Sequence, residues 1–227
     1  MEQNPFGVTS DDLMLNPEPR CPSLVLLDVS GSMAGEPIRQ LVEGMSLYRD
    51  ELAADSMASK RVEVAVVTFG GSVQVAQPFC NADQFTPLTF QAGGDTPMGQ
   101  AIVTGLDLLE NRKSEIRQGG VGLFRPWVFL ITDGGPTDVD TSYWSQARTR
   151  VQEGESKGSF MFFAVGVKGA NVNRLRELGS ARPPVTLDGL RFRDLFAWLS
   201  ASQKVVSQSQ PGDKLALPPV SWGSIEA

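Results

Sequence analysis

The sequence predicts an α/β fold: a doubly wound, mostly parallel sheet with one antiparallel edge strand and helices on both faces. Three observations predict it. Apolar runs at Ser23–Leu27, Trp127–Ile131 and Phe160–Val167 are too short for helices and lack polar alternation, as strands buried on both faces do. Segments with a 3.6-residue apolar period separate them. The alternation of the two makes repeated βα units, and these wind into a parallel sheet.

Taken in order, residues 1–20 carry four acids and three prolines and predict an irregular arm. A strand follows at 22–28. Pro37 suits a first helical turn, and Ile38, Leu41, Val42, Met45 and Leu52 keep the helical period to about Met57. Arg61–Phe69 reads as a strand. Gly70-Gly71-Ser72 is a tight turn into a short reversed partner, Val73–Ala76. A connection over 78–92 leads to Gly93-Gly94-Asp95-Thr96-Pro97. There Thr96 suits an N-cap and Pro97 the first helical position. The helix that follows ends in Arg112, Lys113 and Arg117, read as a solvated basic end suited to the helix dipole. After the strand ending at Thr132, a helix is predicted over 141–157, a strand over 159–167, a short helix over 171–178, a strand over 185–187 and a last helix around Phe192–Leu199. From Ser207 the chain turns to Ser, Gln, Pro and Gly. The domain organisation read from this is an arm over 1–20, one domain over 21–205 and an extended tail over 206–227.

Composition narrows the function. The chain has 227 residues, 41% hydrophobic and 20% charged, with a net charge of −6, which is ordinary for a globular domain. The acidic balance argues against nucleic acid and anionic membranes as partners. There is no histidine, so Ser-His-Asp and Cys-His catalysis and His-ligated zinc are excluded. The two cysteines, Cys21 and Cys80, cannot hold a metal alone and are expected to be reduced. Met1–Pro5 lacks the features of a signal peptide, and no apolar run approaches the ~18 residues of a membrane span. A cytoplasmic location is expected.

The chemistry lies at strand ends. Asp28-x-Ser30-x-Ser32 follows the first buried strand, and Asp133 follows the strand ending at Thr132. Thr96 precedes a helix. A doubly wound sheet brings such ends to one rim. Two carboxylates and three hydroxyls are hard oxygen donors, suited to Mg²⁺ or Mn²⁺. Neutral hydroxyls leave such an ion electrophilic, and a coordination position stays open for an oxygen from outside. Asp138 and Asp140 are read as a solvated loop, and Trp222 as packing on its own domain.

Asp-x-Ser-x-Ser after a buried strand, Thr in a Gly-Gly-x-Thr-Pro turn, and Ile-Thr-Asp-Gly resemble the von Willebrand factor type A domain. The resemblance covers about residues 20–200. It implies a Rossmann-like fold and a metal-ion-dependent adhesion site at Asp28, Ser30, Ser32, Thr96 and Asp133, completed by an acidic side chain of a partner. Arg125–Gly134, Pro136-Thr137-Asp138, Phe196–Ser202 and Pro211-Gly212-Asp213 further resemble the TerY-like bacterial proteins of tellurium-resistance and stress operons. That likeness implies a non-enzymatic adaptor beside a Ser/Thr protein kinase and a PPM-type protein phosphatase.

Two alternatives stand beside this reading. A Mg²⁺-dependent phosphohydrolase of haloacid-dehalogenase topology needs a second aspartate two residues after the first, where this chain has Ser30. A binding module with a purely structural metal would hold its partner by the tail or another face.

Overall fold

The structure is a computed structural model and describes residues 13, 15–86, 88–167 and 169–224. Most of the arm predicted over 1–20, the N-terminal stretch Met1–Pro5 and the last three residues of the tail lie outside the described residues.

Seven strands form one sheet: β1 (Cys21–Asp28), β2 (Val62–Gly70), β3 (Ser72–Asn81), β4 (Trp127–Thr132), β5 (Met161–Gly166), β6 (Val185–Leu187) and β7 (Gly223–Ser224), in the order β3-β2-β1-β4-β5-β6-β7. The helices are α1 (Glu36–Ala54), α2 (Ala58–Arg61), α3 (Met98–Gln118), α4 (Ser142–Ser156), α5 (Val172–Glu177) and α6 (Phe192–Ser207). Strands β2, β1, β4, β5 and β6 run parallel, while β3 and β7 pair antiparallel at the two edges. The doubly wound, Rossmann-like class is as the sequence predicts. The second reversed edge is not: β7 is two residues long, too short to leave a periodic signal.

Alternate residues of each central strand face opposite layers, and β1, β2 and β4 are buried on both sides. Val25, Leu27, Phe129 and Ile131 pack against Leu41, Met45 and Tyr48 of α1 and Leu195, Phe196 and Leu199 of α6. Leu24, Leu26, Val128 and Leu130 pack against Ile102, Leu106 and Leu109 of α3 and Trp144, Ala147 and Val151 of α4. The α1–α6 contact is close at Gly44, where a Cβ would stand 2.5 Å from the Phe196 ring.

Strand β3 is longer than the predicted Val73–Ala76. It runs on to Asn81 through register shifts opposite Val64–Val67 and includes Pro78. An edge strand tolerates a proline because one row of its N–H groups has no ladder partner. The basic end of α3 is also different from expectation. Arg112 and Lys113 are each only 3% exposed; Arg112 makes two bonds to Glu63 and Lys113 pairs with Glu110. Of the three, Arg117 alone is exposed.

Past Ser207 the chain crosses the α6 side of the sheet to Trp222. Trp222 is buried against Trp198, which donates its indole N–H to Pro218 O. Both cysteines are free and buried. Among the described residues no helix is long and apolar enough to cross a membrane.

Candidate metal centre

The strand order reverses direction about β1: β2 lies on one side of it and β4 on the other. In open α/β sheets the crevice outside the carboxyl ends at this switch point is the usual ligand site. Asp28 ends β1 and Asp133 follows the end of β4, so both carboxylates stand at that crevice.

Asp28 is fully buried, Ser30 and Thr96 nearly so, Asp133 half-buried and Ser32 exposed. The Ser30 N–H donates to Asp28 Oδ1 at 2.8 Å, and the Ser30 and Ser32 hydroxyls are 3.1 Å apart. The Ser32 hydroxyl donates to Asp133 Oδ1 at 2.7 Å. Gly134 ties in the third loop. A Cβ placed there would stand 3.7 Å from Thr96 Oγ1, 3.9 Å from Ser32 Oγ and 4.0 Å from Asp28 Oδ2. Five oxygen-bearing side chains from three loops therefore gather around one small space beside Gly134.

Backbone contacts hold the loops in place. Gly93 N–H donates to Val29 O, Gly31 N–H to Gly94 O, and Gly71 N–H to Asp95 O. Gly94 has φ +73°, and a Cβ on it would fall 2.4 Å from Gly71 Cα. Only two glycines allow that approach, and it brings the Thr96 segment against the β2–β3 turn.

Thr96 does not cap α3, contrary to expectation. The helix begins at Met98, with Pro97 at the cap position and no side-chain cap of its own. Asp138 takes that role from another loop. Its Oδ1 accepts from Gly99 N–H at 3.1 Å and its Oδ2 from Gln100 N–H at 2.9 Å. Asp138 is thus buried rather than solvated, while Asp140 is exposed. Thr137 clasps Thr96 twice: its hydroxyl accepts from Thr96 N–H at 3.1 Å and its N–H donates to Thr96 O at 3.0 Å. The Thr96 hydroxyl is left free of capping.

Thr132 is the other residue without a predicted role. It is fully buried, and its hydroxyl donates to Asp28 Oδ2 at 2.5 Å while accepting from Gly134 N–H at 3.2 Å. Burial pushes the Asp28 carboxyl up, the bonds from Ser30 and Thr132 pull it back, and the charge of Asp133 raises it again. The net shift is upward. A buried carboxylate facing a second one is short of positive charge.

Among the described residues no three His, Cys, Asp or Glu side chains stand together as a metal cluster. The donor set is instead two carboxylates with three hydroxyls. That set suits a hard divalent cation that keeps part of its water.

Comparisons with known proteins agree with this architecture. Residues 24–187 match the von Willebrand factor type A domain. No curated protein sequence matches the chain. Among solved structures, a von Willebrand factor type A protein from Catenulispora acidiphila superposes with a TM-score of 0.63 at 18% identity, covering 82% of this chain and 43% of that one. A proximal thread matrix protein of the mussel byssus, with zinc in its MIDAS motif, gives 0.54 at 17% identity, with 82% and 48% covered. The manganese-loaded TRAP protein of Plasmodium vivax gives 0.53 at 18%, with 72% and 64% covered. The chain spans under half the length of the first three structures it matches, 43%, 49% and 45% of them. At these identities the likeness is one of fold. The match over residues 24–187, most of the chain, places it in the von Willebrand factor type A domain family.

Proposed function

We propose that the chain is a non-enzymatic protein-interaction module whose contact runs through a divalent cation, Mg²⁺ or Mn²⁺, held by Asp28, Ser30, Ser32, Thr96 and Asp133. One observation carries the reading: the oxygens of Asp28, Ser32 and Thr96 all lie within 4.0 Å of a Cβ position on Gly134, with Ser30 and Asp133 bonded to that group. The zinc and manganese held by two proteins of like fold support a divalent cation.

The bound ion would supply a Lewis-acid site that an Asp or Glu of a partner protein completes. This chain's residues do the rest. Ser30 N–H and the Thr132 hydroxyl fix the two oxygens of Asp28. The hydroxyl donors add no negative charge, so the site keeps an appetite for an outside carboxylate. Asp28 has Ser30 two residues on, where a phosphohydrolase would need an aspartate, and no histidine is available as a base.

The narrower reading is an adaptor in a bacterial stress or tellurium-resistance phosphorylation module, cytoplasmic, beside a Ser/Thr protein kinase and a PPM-type phosphatase. It rests on the resemblance of Arg125–Gly134, Pro136–Asp138 and Phe196–Ser202. The test is affinity capture from native lysate in Mg²⁺ and in EDTA, with wild type and Asp28→Ala. A kinase or phosphatase retained by wild type in Mg²⁺ alone is the expected result. The same partners in all four conditions would remove the cation from the interface.

A further inference from the structure

Asp138 holds the candidate metal centre together without belonging to its donor set. Its carboxylate is 9% exposed and takes the Gly99 and Gln100 N–H groups at the start of α3. Its own carbonyl accepts both the N–H and the hydroxyl of Thr141, at 3.1 and 2.7 Å, and Thr141 caps α4. One residue back, Thr137 makes the two bonds to Thr96. The turn Thr137-Asp138 therefore joins four things: the loop carrying Asp133, the loop carrying Thr96, and the first turns of α3 and α4. The packing leaves little slack, since a Cβ on Gly99 would stand 2.8 Å from Trp144 N and 3.0 Å from Asp138 Oδ2.

Two physical consequences follow. A threonine at a helix start ordinarily spends its hydroxyl on a helix N–H. Here Asp138 does that work, so the Thr96 hydroxyl stays available. The first turn of a helix also carries a partial positive charge, and α3 starts two residues after Thr96. A cation at Thr96 would be repelled by it. The Asp138 carboxylate lies on that turn and offsets the charge.

We infer that Asp138 and Thr137 are positioning residues that set the cation affinity of the site, Asp138 through both the cap and its charge, and Thr137 through the clasp on Thr96. This rests on the metal reading above and names residues outside its donor set.

The test is Mn²⁺ binding to the full chain, followed by calorimetry and by loss of the free-ion paramagnetic resonance signal, at a temperature where every variant is folded by circular dichroism. Asp138→Ala and Thr137→Val are each expected to weaken Mn²⁺ by about tenfold or more, as losses of partners that orient ligands do. Asp138→Asn retains an acceptor and loses the charge; it is expected to weaken binding by about threefold, the scale of a helix-end charge. Thr137→Ser keeps the hydroxyl and is expected to bind as wild type. Asp55→Ala, which removes the carboxylate that accepts from the Met57 and Ala58 N–H groups at the start of α2, serves as the control for stability alone and is expected to melt lower with Mn²⁺ affinity unchanged. If Asp138→Ala and Thr137→Val bind Mn²⁺ as wild type does, the inference is overturned and the metal reading stands. If wild type itself binds neither Mn²⁺ nor Mg²⁺, the metal reading falls and this inference with it.

Discussion

Thr132 and Asp28 meet across neighbouring strands, the hydroxyl of one donating to the carboxylate of the other at 2.5 Å in a fully buried position. The register explains the meeting. Leu27 pairs with Ile131, so the next residues along, Asp28 and Thr132, emerge side by side on the α3 face of the sheet. Thr132→Val keeps the shape of the side chain and removes the donor. It leaves one oxygen of a buried carboxylate without its partner. The expected result is a fall in Mg²⁺ or Mn²⁺ affinity of about ten- to a hundredfold, read by titration calorimetry, with the far-UV spectrum unchanged. Unaltered affinity would mean that Asp28 needs no orientation by β4.

Cation binding should stabilise the folded chain. Anything that binds the native state alone adds about 2.7 kcal/mol when present at a hundred times its dissociation constant. Melting followed by circular dichroism is expected to shift upward on adding Mg²⁺ or Mn²⁺ to wild type. Asp28→Ala is expected to show no shift. A shift of equal size in that variant would place the cation elsewhere on the molecule.

The strand ends and helices that place this site were legible because each leaves a local pattern. Apolar runs marked β1, β4 and β5, and hydroxyls and carboxylates stood directly after two of them. What was not legible depends on register and on contacts distant in sequence. Thr132 looks like the last residue of an apolar strand until β1 is laid beside β4. Asp138 lies 38 and 39 residues from the N–H groups it accepts, so a Thr-Pro pair before α3 passed for the cap. Arg112 read as a solvated helix end because its partner, Glu63, lies 49 residues away on β2. The sequence does carry a pointer to it: a lone glutamate inside the apolar strand Val62–Gly70 asks for a cation.

Gly94 fixes how close the Thr96 segment can come to the β2–β3 turn. It has φ +73°, and a Cβ on it would fall 2.4 and 2.6 Å from Gly71 Cα and N. Both obstacles are backbone, so nothing flexible can yield. Gly94→Ala should cost about 2 kcal/mol or more, above the ~1 kcal/mol of a positive φ alone. Gly35→Ala supplies the comparison, with φ +88° and nothing within 4 Å of the added carbon. Urea denaturation is expected to rank Gly94→Ala well below Gly35→Ala. Equal losses would show that the loops separate at little cost.

Glu155 gives the fold a defined response to acid. Burial pushes its carboxyl up. The N–H groups of Phe162 and Ala181, the Ser180 hydroxyl and the Arg182 guanidinium more than reverse that, so the net shift is downward. A carboxyl depressed in the folded state stabilises above its unfolded value and loses that contribution as pH falls through the folded one. Wild type should therefore lose stability on acidification below the ordinary glutamate range. Glu155→Gln should be less stable near neutral pH and should show a shallower fall, measured as urea midpoints across the acidic range. Parallel curves for the two proteins would assign the acid response to other carboxylates.

Glu63 lies between two arginines at the opposite end of β1 from the candidate metal centre. Arg20 Nε donates to it at 3.0 Å, and Arg112 does so through two nitrogens at 2.8 and 2.6 Å. Glu63 and Arg20 are fully buried. Arg20 also donates to the carbonyls of Asn16 and Glu18, so the group fastens the chain entering β1. Burial lowers the Arg20 guanidinium, against the pull of Glu63. Taking three charges out of water costs more than one bond returns, and the arrangement holds only while it is complete. Glu63→Gln leaves two buried guanidinium groups facing each other and is expected to cost about 3–5 kcal/mol. Replacing all three by methionine removes the charges together and is expected to cost far less, or nothing. Urea denaturation of the single and triple variants decides the matter. If the triple variant is as unstable as Glu63→Gln, the group contributes stability through its bonds rather than merely balancing its own burial.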